Sequence, residues 1–166
     1  MSWSDRRSFL ALGLGGLASA CGFEPMQGQG SKARSVTGRI FLPEAKDPDS
    51  FAFRERMRRR IGDGSQGAEY WLDSRIAMDE TGIAITQASD VTRYRLSGQA
   101  EWSLVDIATG NVVLSDTVTA FTGYDATASA YAARSAEKAA RSRLAVELAE
   151  LTAARLTALL NQSDGS

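Results

Sequence analysis

Residues 93–124 read RYRLSGQAEWSLVDIATGNVVLSDTVTAFTGY, and this stretch decides the fold class. Tyr94, Leu96, Ala100, Trp102 and Leu104 fall on one side of an alternation, against Arg93, Arg95, Gln99 and Glu101. Side chains alternate across a strand, so this is a strand with one face in a core. Asp106 to Asn111 reads as a hairpin connection, in which Gly110 is free to take a positive φ. The partner strand, Val112 to Tyr124, turns Val112, Leu114, Val118 and Ala120 to one face. Upstream, Tyr70 to Met78 alternates in the same way. Tyr70, Leu72, Ile76 and Met78 point inward, with Asp73, Arg75 and Asp79 outward. Gly82 to Thr86 continues that strand after a bulge or turn. The three long strands form an antiparallel meander with one wet face. The pattern holds no second apolar set to line a cavity, which favours a flat, packed sandwich.

Helices flank the meander. Asp47-Pro48-Asp49-Ser50 is a helix start: Asp47 caps, Pro48 suits the first helical position and Asp49 sits at the positive helix end. Phe53, Met57 and Ile61 then recur every four residues on one face, until Gly62 and Gly64 stop the helix. Its other faces carry Arg54, Arg56, Arg58, Arg59 and Arg60. From Ser129 to Leu160 there is neither Gly nor Pro and alanine is abundant, which predicts a long helix. Leu144, Leu148, Leu151 and Leu159 form its apolar stripe. Arg155 falls on that stripe, with a stem that can be buried and a head that reaches out. Ser35 to Leu42, with Val36, Ile40 and Phe41, reads as a first strand ended by Pro43. The expected order is β-α-β-β-β-α: an α+β two-layer sandwich of about four mostly antiparallel strands with two helices on one face.

The chain's 166 residues suffice for one domain, and 43% hydrophobic with 23% charged residues is ordinary for a globular protein. The net charge of −1 gives no basic field to attract nucleic acid. There is no histidine, which removes the commonest general base and zinc ligand. The single cysteine, Cys21, rules out an internal disulfide and any multi-cysteine metal site. No Gly-x-Ser-x-Gly elbow or P-loop is present. Glu69, Asp73 and Asp79 could form a carboxylate set and the many serines could hide a nucleophile, but acids on a wet strand face usually serve solvation. No enzymatic activity is expected, and no cofactor.

The first residues follow the three-part plan of an export signal. Arg6 and Arg7 form a charged head, Phe9 to Ala20 carries no charge, and Ala18-Ser19-Ala20 leads up to Cys21. The apolar run is shorter than the ~20 residues a bilayer-spanning helix needs. This segment resembles bacterial lipoprotein signals, in which cleavage leaves a lipidated cysteine as the new N-terminus. Arg6-Arg7-Ser8-Phe9-Leu10 also looks like a twin-arginine signal, and the general secretory route stays equally open. Gly22, rather than Asp, follows the cysteine, which by the same resemblance favours sorting to the outer membrane. The expected layout is a signal at 1–20, a lipidated N-terminus and tether at 21–34 that includes Gln27 to Ser31, one domain at 35–162, and a disordered tail at 163–166. The mature chain then keeps 146 residues, with 17 basic and 19 acidic side chains.

Three features together resemble the LPS-assembly lipoprotein family LptE, in its alphaproteobacterial form. One is the opening Cys21-Gly22-Phe23-Glu24-Pro25-Met26. Another is the β-α-β-β-β-α order. The last is Tyr124-Asp125-Ala126-Thr127-Ala128-Ser129-Ala130-Tyr131-Ala132, which leads into a helix with Ala136-Glu137 and Ala139-Ala140-Arg141. The similarity spans roughly residues 21 to 160. Met26 stands where Leu is usual, Gln27-Gly28 where Tyr-Gly is usual, and Asp125 where Asn is common. The resemblance implies a periplasm-facing, lipid-anchored outer-membrane protein that plugs the barrel LptD, helps it fold and binds lipopolysaccharide. It also implies a small sheet with two helices on one side.

The family's ligand contacts are not marked by any local motif here, so the binding residues are read from chemistry. Arginine matches phosphate geometry bidentately. One candidate site is the basic helix face with Arg54, Arg58 and Arg59; another is Arg93 and Arg95 on a strand's polar face. Either set also fits a plain solvated surface. Trp102 alternates with core residues and belongs to the core. Trp71 lies beside Asp73 and Arg75, and an exposed tryptophan suits a partner interface. The rival reading is another outer-membrane lipoprotein: an adaptor, a pilotin-like chaperone, or a lipid carrier with a concave apolar cavity.

Overall fold

The computed structural model describes residues 32–65, 67–85, 91–126 and 129–163. The expected export signal at 1–20, residues 21–31 of the expected tether with Cys21, and residues 164–166 of the expected tail lie outside those residues. The elements are α1 (Lys32–Val36), β1 (Ile40–Phe41), α2 (Pro48–Ile61), β2 (Tyr70–Ile85), β3 (Val91–Asp106), β4 (Val112–Asp125) and α3 (Ala130–Gln162). They form an α+β sandwich whose four-stranded sheet runs β1-β2-β3-β4, with β1 parallel to β2 and the others antiparallel.

The alternation in the meander holds. Leu72, Leu96, Ala100, Trp102 and Leu104 are buried, and Asp73, Arg75, Asp79, Arg93 and Arg95 are exposed. Gly110 takes φ 71° in the β3–β4 connection, where its N–H donates to the Asp106 carbonyl. β2 continues through Gly82 to Ile85, with the expected irregularity as register shifts from Gly82 onward. Val112 is exposed rather than inward, because the β3–β4 register shifts between Leu104 and Val105 and changes its facing.

The expected α2 start is present in full. The Asp47 side chain accepts from the Asp49 and Ser50 N–H groups, and Ser50 answers with a bond from the Asp47 N–H. Phe53, Met57 and Ile61 are all buried. The expected first strand is mostly something else. Residues 32–36 form a helical turn that buries Ala33 and Val36, and only Ile40 and Phe41 pair with β2. Among the described residues there are thus three helices rather than two.

α3 is long as expected, but its buried stripe is rotated. Leu144 and Leu148 are joined by Ala145, Ala149, Thr152, Ala153, Leu156 and Leu160, whereas Leu151 is 40% exposed. Arg155 reaches outward to Asp116. α3 crosses β3 at Gly98, where a Cβ would stand 2.9 Å from Leu144 Cδ2 and 3.0 Å from Leu148 Cδ1. The glycine permits this close approach of helix and strand.

Candidate functional site

α2 and α3 run in the same direction across the inner sheet face. Asp49 at the start of α2 meets Arg141, a third of the way along α3, and Arg56 and Arg60 meet Glu150 further on. The Arg141 guanidinium donates through Nε and Nη2 to one Asp49 oxygen, at 3.1 and 2.7 Å. Hydrogen bonding to Asp49 raises the Arg141 pKa. α3 begins eleven residues before Arg141, so its first turns overhang the start of α2.

The result is a groove of about 1440 Å³ between the two helices and β2. Ile76, Met78, Ala52 and Val146 supply apolar lining. Arg59, Arg134, Lys138 and Arg141 stand around it with Asp49, Glu55 and Glu137. Arg141 is committed to Asp49. Arg59, Arg134 and Lys138 hold no ion pair among the described residues. An apolar lining beside uncommitted cations suits an acylated molecule with anionic groups. The strand alternation gave no sign of this groove.

The sequence candidates separate. Arg59 lines the groove. Arg54 and Arg58 lie at 3.7 and 3.0 Å from Glu55, and Arg54 Nε also donates to the Leu42 carbonyl. Arg93 and Arg95 are on the opposite sheet face, near the far end of the β2–β3 hairpin. Arg93 is bound by Asp125, with Nε–Oδ1 at 2.7 Å, and this bond depresses the Asp125 pKa. The Arg95 guanidinium stands 5.7 Å over the Phe121 ring. Trp71 is 41% exposed on the outer sheet face. Glu69 pairs with Arg39, and Asp73 and Asp79 lie about 20 Å apart along one strand, so the three acids do not converge.

The end of β4 and the first turn of α3 are each pinned by local contacts. Tyr94 and Tyr124 stack with centroids 5.2 Å apart, and the Tyr124 hydroxyl donates to Glu80 at 2.8 Å. Burial, then that bond to Glu80, raises the tyrosine's pKa and keeps it a donor. Ser129 caps α3 by accepting from the Ala132 N–H.

A family profile described as lipopolysaccharide-assembly, LptE, matches residues 37–156. No curated protein sequence matches the chain. Among solved structures, a protein described as a lipoprotein from Caulobacter crescentus superposes with a TM-score of 0.62 at 22% identity, covering 77% of this chain and 95% of that one. Rare lipoprotein B from Shewanella oneidensis gives 0.52 at 15% identity, covering 72% and 94%. A minor lipoprotein from Acinetobacter baumannii gives 0.53 at 16% identity, covering 72% and 88%. At these identities the three structures attest the fold.

Proposed function

The chain belongs to the LptE lipopolysaccharide-assembly family, and from that premise we propose that it is an outer-membrane lipoprotein that plugs the LptD barrel and assists lipopolysaccharide delivery. Lipid on Cys21 anchors it to the periplasmic side. Each buried methylene contributes ~0.8 kcal/mol, so two or more acyl chains hold it stably. It works by binding, without catalysis and without a cofactor beyond that lipid.

The family match over 37–156 carries this reading, because it spans the whole sandwich from β1 into α3. The groove supports the lipopolysaccharide part: Arg59, Arg134 and Lys138 would face phosphates while Ile76 and Met78 meet acyl chains. Arg54, Arg58, Arg93 and Arg95 are weaker contributors, since each is already engaged by Glu55, Asp125 or Phe121. Trp71 offers the barrel an exposed aromatic contact.

The groove also favours one rival, a lipid carrier that works without a barrel. Purification of the tagged protein from its native membrane separates the two. A large barrel recovered in near one-to-one amount supports the plug; recovery with lipid alone leaves the carrier.

A further inference from the structure

The outer sheet face ends in an apolar row that the core does not use. Phe41 pairs with Trp71, Trp71 with Val105, and Val105 with Val112, so four strands each place one apolar residue side by side. Ile107 continues the row into the β3–β4 connection. Phe41, Trp71, Ile107 and Val112 are 46%, 41%, 53% and 59% exposed. Val105, in the middle, is 8% exposed yet stands outside the core cluster, so it is buried on the outer side. Exposed apolar residues gathered in one patch mark an interaction surface.

The position of the row identifies its occupant. α1 leads directly into β1, and the Ala33 N–H reaches Asn161 at the end of α3. The chain therefore enters the domain at the same pole as the row. Cys21 precedes Lys32 by eleven residues, a reach of no more than about 40 Å. β2, with 16 residues, is about 53 Å long. A protein held by Cys21 cannot then stand with the hairpin pole on the membrane, because the tether would have to exceed the length of the sheet. The pole that remains carries the exposed Trp71 and Phe41, and aromatic residues favour the membrane–water interface.

We infer that, in the anchored protein before a partner covers it, the row of Phe41, Trp71, Val112 and Ile107 rests in the membrane interface and points the helical groove away from the lipid. This rests on the lipid-anchor reading. Trp71 is its own reporter, because Trp102, the other tryptophan after Cys21, is buried in the core.

The test uses the acylated protein in vesicles of phosphatidylethanolamine and phosphatidylglycerol with brominated acyl chains. The expected result is flotation with the vesicles and roughly twofold quenching of the exposed tryptophan by bromine, as for a ring at headgroup depth. Ile107→Asp with Val112→Asp should keep flotation and lose the quenching. Protein that floats while Trp71 ignores bromine and stays open to acrylamide overturns the inference and spares the anchor. Trp71 shielded from both quenchers overturns it in favour of contact with a second copy. Protein that does not float removes the anchor itself, and the inference with it.

Discussion

Replacing Gly98 by alanine tests whether α3 is pressed against the sheet as described. The added methyl would meet Leu144 Cδ2 at 2.9 Å, Leu148 Cδ1 at 3.0 Å and Leu144 Cγ at 3.1 Å. Ordinary carbon–carbon contact is about 3.5–4.0 Å, so the helix or both leucines must give by about half an ångström or more. Both leucines are fully buried and have no solvent to move into. Overpacking of this kind costs ~1–3 kcal/mol. Removing a strand glycine returns ~0.5–1 kcal/mol. The net expectation is a destabilisation of about 1 kcal/mol. Leu144→Ala alone should cost ~2–5 kcal/mol. In the double variant the methyl enters the vacated space, so its cost should fall short of the sum by about 1 kcal/mol. Urea unfolding of the mature chain carrying Cys21→Ser, followed by circular dichroism, measures all three. Gly98→Ala as stable as the parent, or strict additivity in the double variant, would refute the close approach.

Leu151→Glu should change stability by less than ~0.5 kcal/mol, whereas Leu148→Ala should cost ~2–5 kcal/mol; the pair of urea midpoints checks the phase of α3. Asp47→Ala removes both cap bonds of α2 and should cost ~1 kcal/mol at neutral pH, with Asp47→Ser recovering most of it. Hydrogen bonds from the Ser50 backbone and then its hydroxyl lower the Asp47 pKa below 3.8. Its contribution is therefore complete above pH 3.8 and lost as pH falls through the folded value, so the alanine variant should show a shallower acid loss of stability. Reversing Arg59, Arg134 and Lys138 to glutamate should lower lipopolysaccharide affinity at least tenfold, because one charge-assisted bond contributes ~1.5–3 kcal/mol. Reversing Arg93 and Arg95, already held by Asp125 and stacked on Phe121, should lower that affinity far less. Titration calorimetry with unfolding controls distinguishes the two sets.

The meander and α2 were legible because each signal is local. Alternation from Tyr70 to Met78 and from Tyr94 to Leu104 has one buried face, and Asp47-Pro48 with Phe53, Met57 and Ile61 marks a capped amphipathic helix. The α3 phase was not legible, because leucines carry more hydrophobic signal than alanines. In an alanine-rich helix the buried stripe is filled largely by Ala145, Ala149, Thr152 and Ala153, which carry little hydrophobic signal. The short α1 was hidden because Val36, Ile40 and Phe41 also fit one extended run. Engagement of the basic helix was invisible for a different reason: Arg56 and Arg60 find Glu150, about ninety residues away, and no spacing rule reaches that far.

The groove was the least legible feature, and element lengths account for it. β2 spans about 53 Å, whereas the 14 residues of α2 span only about 21 Å. α2 cannot cover the inner face alone, and the Asp47 cap with Pro48 fixes where it starts. α3, at 33 residues and about 50 Å, runs the full length of the sheet. Beyond the start of α2 the sheet therefore has a helix on one side only, which leaves Ile76 and Met78 partly buried rather than sealed. The same overhang carries Arg134, Lys138 and Arg141 at helical spacing along the open side, and Asp49 at the start of α2 neutralises one of the three. A capped helix shorter than its strands thus produces both the apolar lining and the uncommitted cations. Extending α2 toward its N-terminus should close the groove while leaving the sheet intact.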